Sequence, residues 1–276
     1  MFIRLRFFLV LPVLLLCGCA RYVQESAYTN SVGMEFVRVE PGSMIVGRYQ
    51  PTVGKPNRSN SERKWLPDSV YQVAEKMAQQ AAMPGFEVML DKPYYIGKYE
   101  VTQEQWEKVM GSNPSFFQGD KVPGDASLHP VENITWEDAQ VFVQKLNALD
   151  KKHTYRLPTE FEWEYAARAG AEDDIHWSVM NKMAVKGGST TSAVGQKQPN
   201  AWGMYDMLGN VWEWVQDYYN EKIFADPVPP QTGKKHVLKG ASFTGDAKNA
   251  TYKTHAAGPG NGFDVGLRVL MEAKKK

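Results

Sequence analysis

The feature that most limits the folds open to this chain is the point at which its helical periodicity stops. Three segments open on a threonine and carry an amide or an acid three residues later: Thr102-x-x-Gln105, Thr135-x-x-Asp138 and Thr159-x-x-Glu162. In each, the hydroxyl can accept from an exposed N–H of the first turn while the later side chain reaches back or favours the helix dipole, so the spacing predicts helices over 103–110, 136–149 and 160–168. In the second, Ala139, Phe142, Val143 and Leu146 recur at helical spacing and give one apolar face, which assigns Trp136 and Phe142 to packing. After Ala169 no such period is sustained, and residues 170–201 and 220–236 are loop and turn by composition. A second half built this way must be held by something other than regular ladders. The chain has the rings for it, since 12% of its residues are aromatic.

Many of those rings sit in one stretch, "GMYDMLGNVWEWVQDYY" at residues 203–219, interleaved with the carboxylates Asp206, Glu213 and Asp217. Upstream, "MEFVRVEPGSMIVG" alternates apolar and polar residues around Pro41-Gly42 and predicts a hairpin over Met34 to Val46. Residues 48–70 are rich in Pro, Asn, Ser and charge and read as an exposed insertion, with a short helix after it near Val70 to Ala82.

The first residues bear on the compartment. Arg4 and Arg6 precede an apolar run, Phe7 to Leu16, too short to span a bilayer, which ends in Leu16-Cys17-Gly18-Cys19. That pattern reads as a lipoprotein signal peptide over 1–18, with Cys19 as the acylated residue, a polar tether over 19–32 and a domain over 33–272; the alternative is an ordinary cleavable signal in which the cysteine is accidental. Ala20 after the cysteine points to the outer membrane, facing the periplasm or the cell surface. Cys17 and Cys19 are the only cysteines, so the domain has no disulfide, no thiolate metal site and no cysteine nucleophile. With 32 basic against 31 acidic residues, nothing suggests nucleic acid as a partner. The partners expected are the membrane, through the lipid, and an envelope protein or small ligand.

Six segments occur in a telling order: "PYYIGKYEVTQEQWEKVMG", "HPVENITWEDAQVFVQKLN", "YRLPTEFEWEYAARAG", "NAWGMYDMLGNVWEWVQDYY", "VLKGASF" and "GLRVL". Together they resemble the formylglycine-generating enzyme family, also called sulfatase-modifying factors. The resemblance implies an α+β, irregular, C-type-lectin-like fold with little regular secondary structure. It also implies a calcium ion on the 203–219 stretch, with Asp206 and Glu213 as side-chain ligands and Gly209 and Val211 as carbonyl ligands, a donor set suited to a hard cation. The alternative is that the two carboxylates accept only backbone N–H bonds. For a second calcium site the family's asparagine and aspartate have no counterpart in "WSVMNKMAVKGGSTTSAVG".

The same resemblance limits the chemistry. Oxidising members bind copper through two cysteines after a turn that here reads Gly240-Ala241-Ser242-Phe243, and the matching positions are Gly245 and Ala250. No copper is expected, and formylglycine generation is rejected. A related branch uses a three-histidine iron site, but His129, His153, His176, His236 and His255 include no close pair. His129, before Pro130, reads as structural. The leading expectation is therefore a non-catalytic binding or assembly factor of the envelope. One rival is an oxidative maturation enzyme of the siderophore-chromophore type without copper cysteines, with pocket candidates Ser242, Asp246, Tyr252, His255 and Arg268. Another is a diversified ligand-binding protein of a retroelement system, variable over about 243–264. For Arg268 the structural alternative is an ion pair with Glu213 or Asp217. A hydrolase built on Ser242 and His255 lacks a nucleophile-elbow pattern and a placed acid.

Overall fold

In the computed structural model the described residues are 27–47, 85–175, 177–224, 228–245, 250–258 and 260–273. Cys19, Asp246, His176, the 48–70 insertion and the helix expected near 70–82 lie outside them.

The three threonine-led segments fold as helices α1 (Gln103–Met110), α2 (Trp136–Leu149) and α3 (Glu160–Arg168), each with a complete reciprocal cap. At α3 the Thr159 hydroxyl accepts from the Glu162 N–H at 3.2 Å, and the Glu162 carboxylate accepts from the Thr159 N–H at 2.8 Å. Helix α1 stops at Gly111, which takes a left-handed φ of 84°. A fourth, short helix, α4 (Trp177–Met183), lies in the region read from sequence as loop.

Among the described residues eleven strands make three sheets. Five of them, β1 (Ala27–Thr29), β2 (Glu35–Val39), β5 (Tyr94–Gly97), β11 (Leu270–Ala273) and β6 (His153–Arg156), pair in the order β1-β2-β5-β11-β6. Strands β10 (Val265–Leu267), β7 (Trp212–Tyr218), β8 (His236–Lys239) and β9 (His255–Ala257) form a second sheet in that order. Strands β3 (Gly42–Val46) and β4 (Phe86–Leu90) pair separately.

Two expectations are corrected here. The strands read around Pro41-Gly42 exist but do not pair with each other: β2 bonds β1 and β5, and β3 bonds β4. Proline fixes φ near −65°, which denies the chain the positive-φ turn that a tight hairpin uses, so it changes sheet instead. In addition, residues 27–29 of the expected tether form an edge strand, with Tyr28 packed 6.4 Å from Phe36 and 4.6 Å from the His153 ring.

The five-stranded sheet is covered on both faces. Successive residues of a strand point oppositely. Met271 accordingly enters the core beneath α1 and α2, with Phe36, Trp106, Phe142 and Leu146, whereas Leu270 enters the core around α3, with Ile96, Trp163 and Met207. Phe142 stacks on Trp106 at 4.9 Å, so the apolar face of α2 is a packing face, as its periodicity predicts. Burying a ring of this kind contributes roughly 1.5–3 kcal/mol.

Candidate functional site

The 203–219 stretch turns a sharp corner before it becomes β7. Asp206, Gly209 and Asn210 all take positive φ, and a Cβ at Gly209 would lie 1.9 Å from the Val185 carbonyl oxygen, so glycine alone fits there. The corner places Asp206 and Glu213 beside Glu100 and Arg268, all four buried. The Arg268 guanidinium donates to Glu213 at 2.8 and 3.0 Å, to the Gly97 carbonyl at 2.8 Å and to the Tyr205 carbonyl at 2.9 Å. Glu213 also accepts from the Trp163 indole at 2.6 Å. Glu100 receives the Asn210 amide at 2.6 Å and the Val211 N–H at 3.1 Å and so pins the corner from a distant segment.

Three carboxylates thus surround one guanidinium. Burial, reinforced by the charges of Asp206 and Glu213, pushes Glu100 well above the usual carboxylate range; burial likewise raises Asp206, to about 6. One oxygen of Asp206 accepts from Gly195 N–H at 2.6 Å, and the other is buried without a hydrogen-bond partner. Surplus buried negative charge and the orphaned oxygen of Asp206 fit the calcium ion that the resemblance implies for Asp206, Gly209, Val211 and Glu213, whereas Glu213, whose oxygens accept from Arg268 and Trp163, would have to turn from those partners to join the set.

A different arrangement occupies the loops that face solvent nearby. The segment 113–118, which follows α1, is stitched to 131–133 and 260–264. Asn133 donates to the Pro114 carbonyl at 2.9 Å, its own N–H bonds the Gly262 carbonyl at 2.9 Å, and Asn261 donates to the Asn133 side chain at 3.1 Å. This stitching presents four rings. Phe117 and Phe243 are buried, whereas Phe116 and Phe263 are 51% and 52% exposed. Phe117 meets Phe116 edge-on at 5.0 Å, Phe243 at 5.4 Å and Phe263 at 6.0 Å.

Two carboxylates belong to the same face. Asp264 accepts from Ser242 at 2.7 Å and from Thr244 at 3.1 Å. Glu132 accepts the Phe117 N–H at 2.7 Å with one oxygen, while its other oxygen is buried without a partner. Burial pushes the Glu132 carboxyl up to about 7; the backbone N–H groups of Phe117 and Phe116 oppose that rise, Asp264 adds to it and Lys121 opposes it.

The pocket candidates read from sequence do not form one cluster. The Ser242 hydroxyl serves Asp264, whereas His255 Nδ1 lies 2.8 Å from Glu160, with its ring stacked on Tyr219 at 4.5 Å. Tyr252 is core, its N–H held by Asp174 at 3.0 Å. Arg268 is wholly committed to Glu213 and two carbonyls, as its structural alternative predicts. Ser242 and His255 therefore make no nucleophile–base pair. His129 is structural, buried against Thr191 at 3.0 Å. Among the described residues no group of three or more His, Cys, Asp or Glu side chains is arranged to hold a metal, and an iron site of histidines is not assembled.

Sequence reasoning missed Glu100, Glu132, Asp264 and the Phe116-Phe117 pair. The available signal was small: Glu132 interrupts the apolar run "HPVENI", and two adjacent phenylalanines follow an Asn-Pro turn.

The sequence model of the sulfatase-modifying factor enzyme 1-like domain matches residues 24–273. A chaperone protein, LppX, of Paenibacillus barcinonensis is 31% identical over 64% of this chain and 79% of its own length. Among solved structures, the Treponema denticola variable protein 1 superposes with a TM-score of 0.68 at 25% identity, over 88% of this chain and 97% of that one. PvdO from Pseudomonas aeruginosa superposes at 0.66 and 23% identity, over 89% and 97%, and shares the fold. The chain belongs to the formylglycine-generating enzyme, or sulfatase-modifying factor, family, with the irregular C-type-lectin-like fold of that family.

Proposed function

We propose that this chain is an envelope lipoprotein whose domain binds a partner or ligand, as an assembly or maturation factor, and does not oxidise cysteine. One observation carries the reading: the two positions matched to copper-binding cysteines are Gly245 and Ala250, and no other cysteine exists in the domain to replace them. Ala250 is buried in the apolar core cluster that includes Tyr252, and its methyl group offers no thiolate for soft Cu(I). Binding needs no such group, because a lectin-type frame presents ligands on loops held by a rigid scaffold. The face of Phe116, Phe263, Glu132 and Asp264 is the part of the molecule built that way.

The relatives support this reading in kind. LppX is named a chaperone, and the Treponema protein is named a variable protein. Lipid on Cys19 would hold the domain at the envelope, and no helix of the described residues is long and apolar enough to cross a membrane. A calcium ion on Asp206, Glu213 and the carbonyls of Gly209 and Val211 would neutralise buried acid and brace the corner before β7; its role is structural.

Incubating the protein with a peptide carrying a sulfatase-type cysteine motif, copper and oxygen should leave the peptide mass unchanged. A loss matching thiol-to-aldehyde conversion would overturn the non-catalytic reading. Separately, Cys19→Ala should release the protein from the membrane fraction.

A further inference from the structure

The aromatic loop face already holds one cation. The Lys121 ammonium sits 3.9 Å from the centroid of the half-exposed Phe116 ring. A benzene ring presents a negative face, so an ammonium placed there is attracted, and more strongly as water is excluded. The other lysine over exposed-side rings, Lys98, lies farther from them, at 5.2 Å from Tyr99 and 5.8 Å from Tyr205, and has its own carboxylate, Glu35, at 3.0 Å. The Lys121 ammonium is matched to a ring, while the acids of its neighbourhood are spent elsewhere or not at all.

Those acids are the second observation. Glu132 is fully buried, with one oxygen on the backbone N–H of Phe117, a residue of the face, and the other without a hydrogen-bond partner. Asp264 stands on the opposing loop, oriented by the hydroxyls of Ser242 and Thr244. Of the charged side chains near Glu132, Asp264 raises its proton affinity and Lys121 lowers it. An anionic ligand would meet two carboxylates here. A neutral apolar ligand would cover the rings and leave the Glu132 oxygen unpaired in a still drier place, which costs free energy. A ligand cation is attracted both by the ring faces and by the negative field of the acids behind them.

We propose that this face binds an alkylammonium group carried by a ligand, seated against Phe116 and Phe263 and balanced by Glu132 and Asp264, with Lys121 as an internal competitor for the same ring. The assignment rests on the binding role proposed above and names its ligand chemistry. The ammonium can belong to a lysine side chain of a partner or to a quaternary amine, and the two differ in shape but not in this recognition.

The test uses the full domain in detergent-free form, titrated at constant ionic strength with N-acetyl-lysine methylamide and with tetramethylammonium chloride, and followed by NMR shifts of the phenylalanine rings. A neutral isostere, neopentyl alcohol, serves as the third probe. At least one ammonium probe should saturate and the alcohol should not; the better of the two ammonium probes identifies the source. Phe116→Leu and Phe263→Leu keep apolar volume but lose the ring face, and each should weaken binding about two- to fivefold. Glu132→Gln should weaken it further. Lys121→Ala should strengthen binding several-fold, an effect that a merely structural lysine would not give. Each variant is checked by its melting temperature.

No saturation by either ammonium, equal binding of the alcohol, or a Lys121→Ala variant that binds no better would each overturn the proposal. A negative titration leaves the peptide-oxidation result untouched, so failure of this assignment and failure of the non-catalytic reading are told apart.

Discussion

Two of the groups of buried acid in this domain differ in what offsets their charge. Beneath the corner at Asp206–Glu213, Arg268 spends its donors on Glu213 and two carbonyls, and Glu100 is closed by the Asn210 side chain and the Val211 N–H. On the loop face, Glu132 keeps one oxygen unpaired in the loops that present the half-exposed rings of Phe116 and Phe263. Burying a charge is tolerated when it is paired, and removing one partner of such a pair is strongly destabilising. A buried acid left open is a cost to stability, and such costs persist where function needs them. Asp206 at the corner also keeps one oxygen unpaired, so what separates the two is the guanidinium: Arg268 offsets the acids of the corner, which on the reading proposed above makes it frame, whereas among the described residues no cation hydrogen-bonds Glu132, which makes the loop face the site.

The largest effect expected of this contrast is at Arg268. Arg268→Met should remove about 3–5 kcal/mol of stability by leaving Glu213 buried and uncompensated. A loss under about 1 kcal/mol in urea unfolding would break the claim that this pair is the frame. Calcium sharpens the same side: at about a hundred times its dissociation constant it should add roughly 2.7 kcal/mol, or about 5–10 °C in melting temperature for a domain of this size. Chelation should reverse the gain, magnesium should restore it poorly, and Asp206→Ala should abolish the difference. Identical melting in chelator and in calcium would leave Arg268 as the sole countercharge.

Smaller effects bear on the supports. Thr159→Ala deletes the cap of α3, the helix that carries Trp163 to Glu213, and should cost about 1 kcal/mol. On the loop face the expectation inverts, since Phe263→Ala removes a half-exposed ring and should shift stability by no more than about 0.5 kcal/mol. A larger loss measured by urea unfolding would make that ring part of the core.

How legible this was depends on how local each cause is. The three capped helices were readable because hydroxyl and acid lie three residues apart, within one turn. Helix α4 begins at Trp177 with no threonine-led start in the sequence before it, so nothing local announced it. Strands β2 and β3 were visible by alternation, yet their partners were not, because pairing is decided by segments far away in sequence and by Pro41. The Arg268–Glu213 pair was among the alternatives because an arginine in a core segment must meet an acid. The open oxygen of Glu132 was invisible, since being unpaired is a property of the assembled loops. Ser242 and His255 show the converse, as residue types suited to chemistry that the fold sends to different acids.

The division between frame and site is tested most directly by the pH dependence of unfolding in wild type and Glu132→Gln. The Glu132 carboxyl is raised in the folded state to about 7 against an ordinary value of 4.5. A raised carboxyl binds its proton more tightly when folded, so its contribution is fully present below about pH 4.5 and is lost as the pH rises through about 7. Wild type should therefore lose on the order of 1–3 kcal/mol across that window relative to Glu132→Gln, whose amide keeps an acceptor for the Phe117 N–H and does not ionise. Above pH 7 the variant should be the more stable protein. Parallel pH profiles, with Glu132→Gln less stable throughout, would mean that Glu132 is paired like Glu213, and the distinction drawn between the two regions would fail.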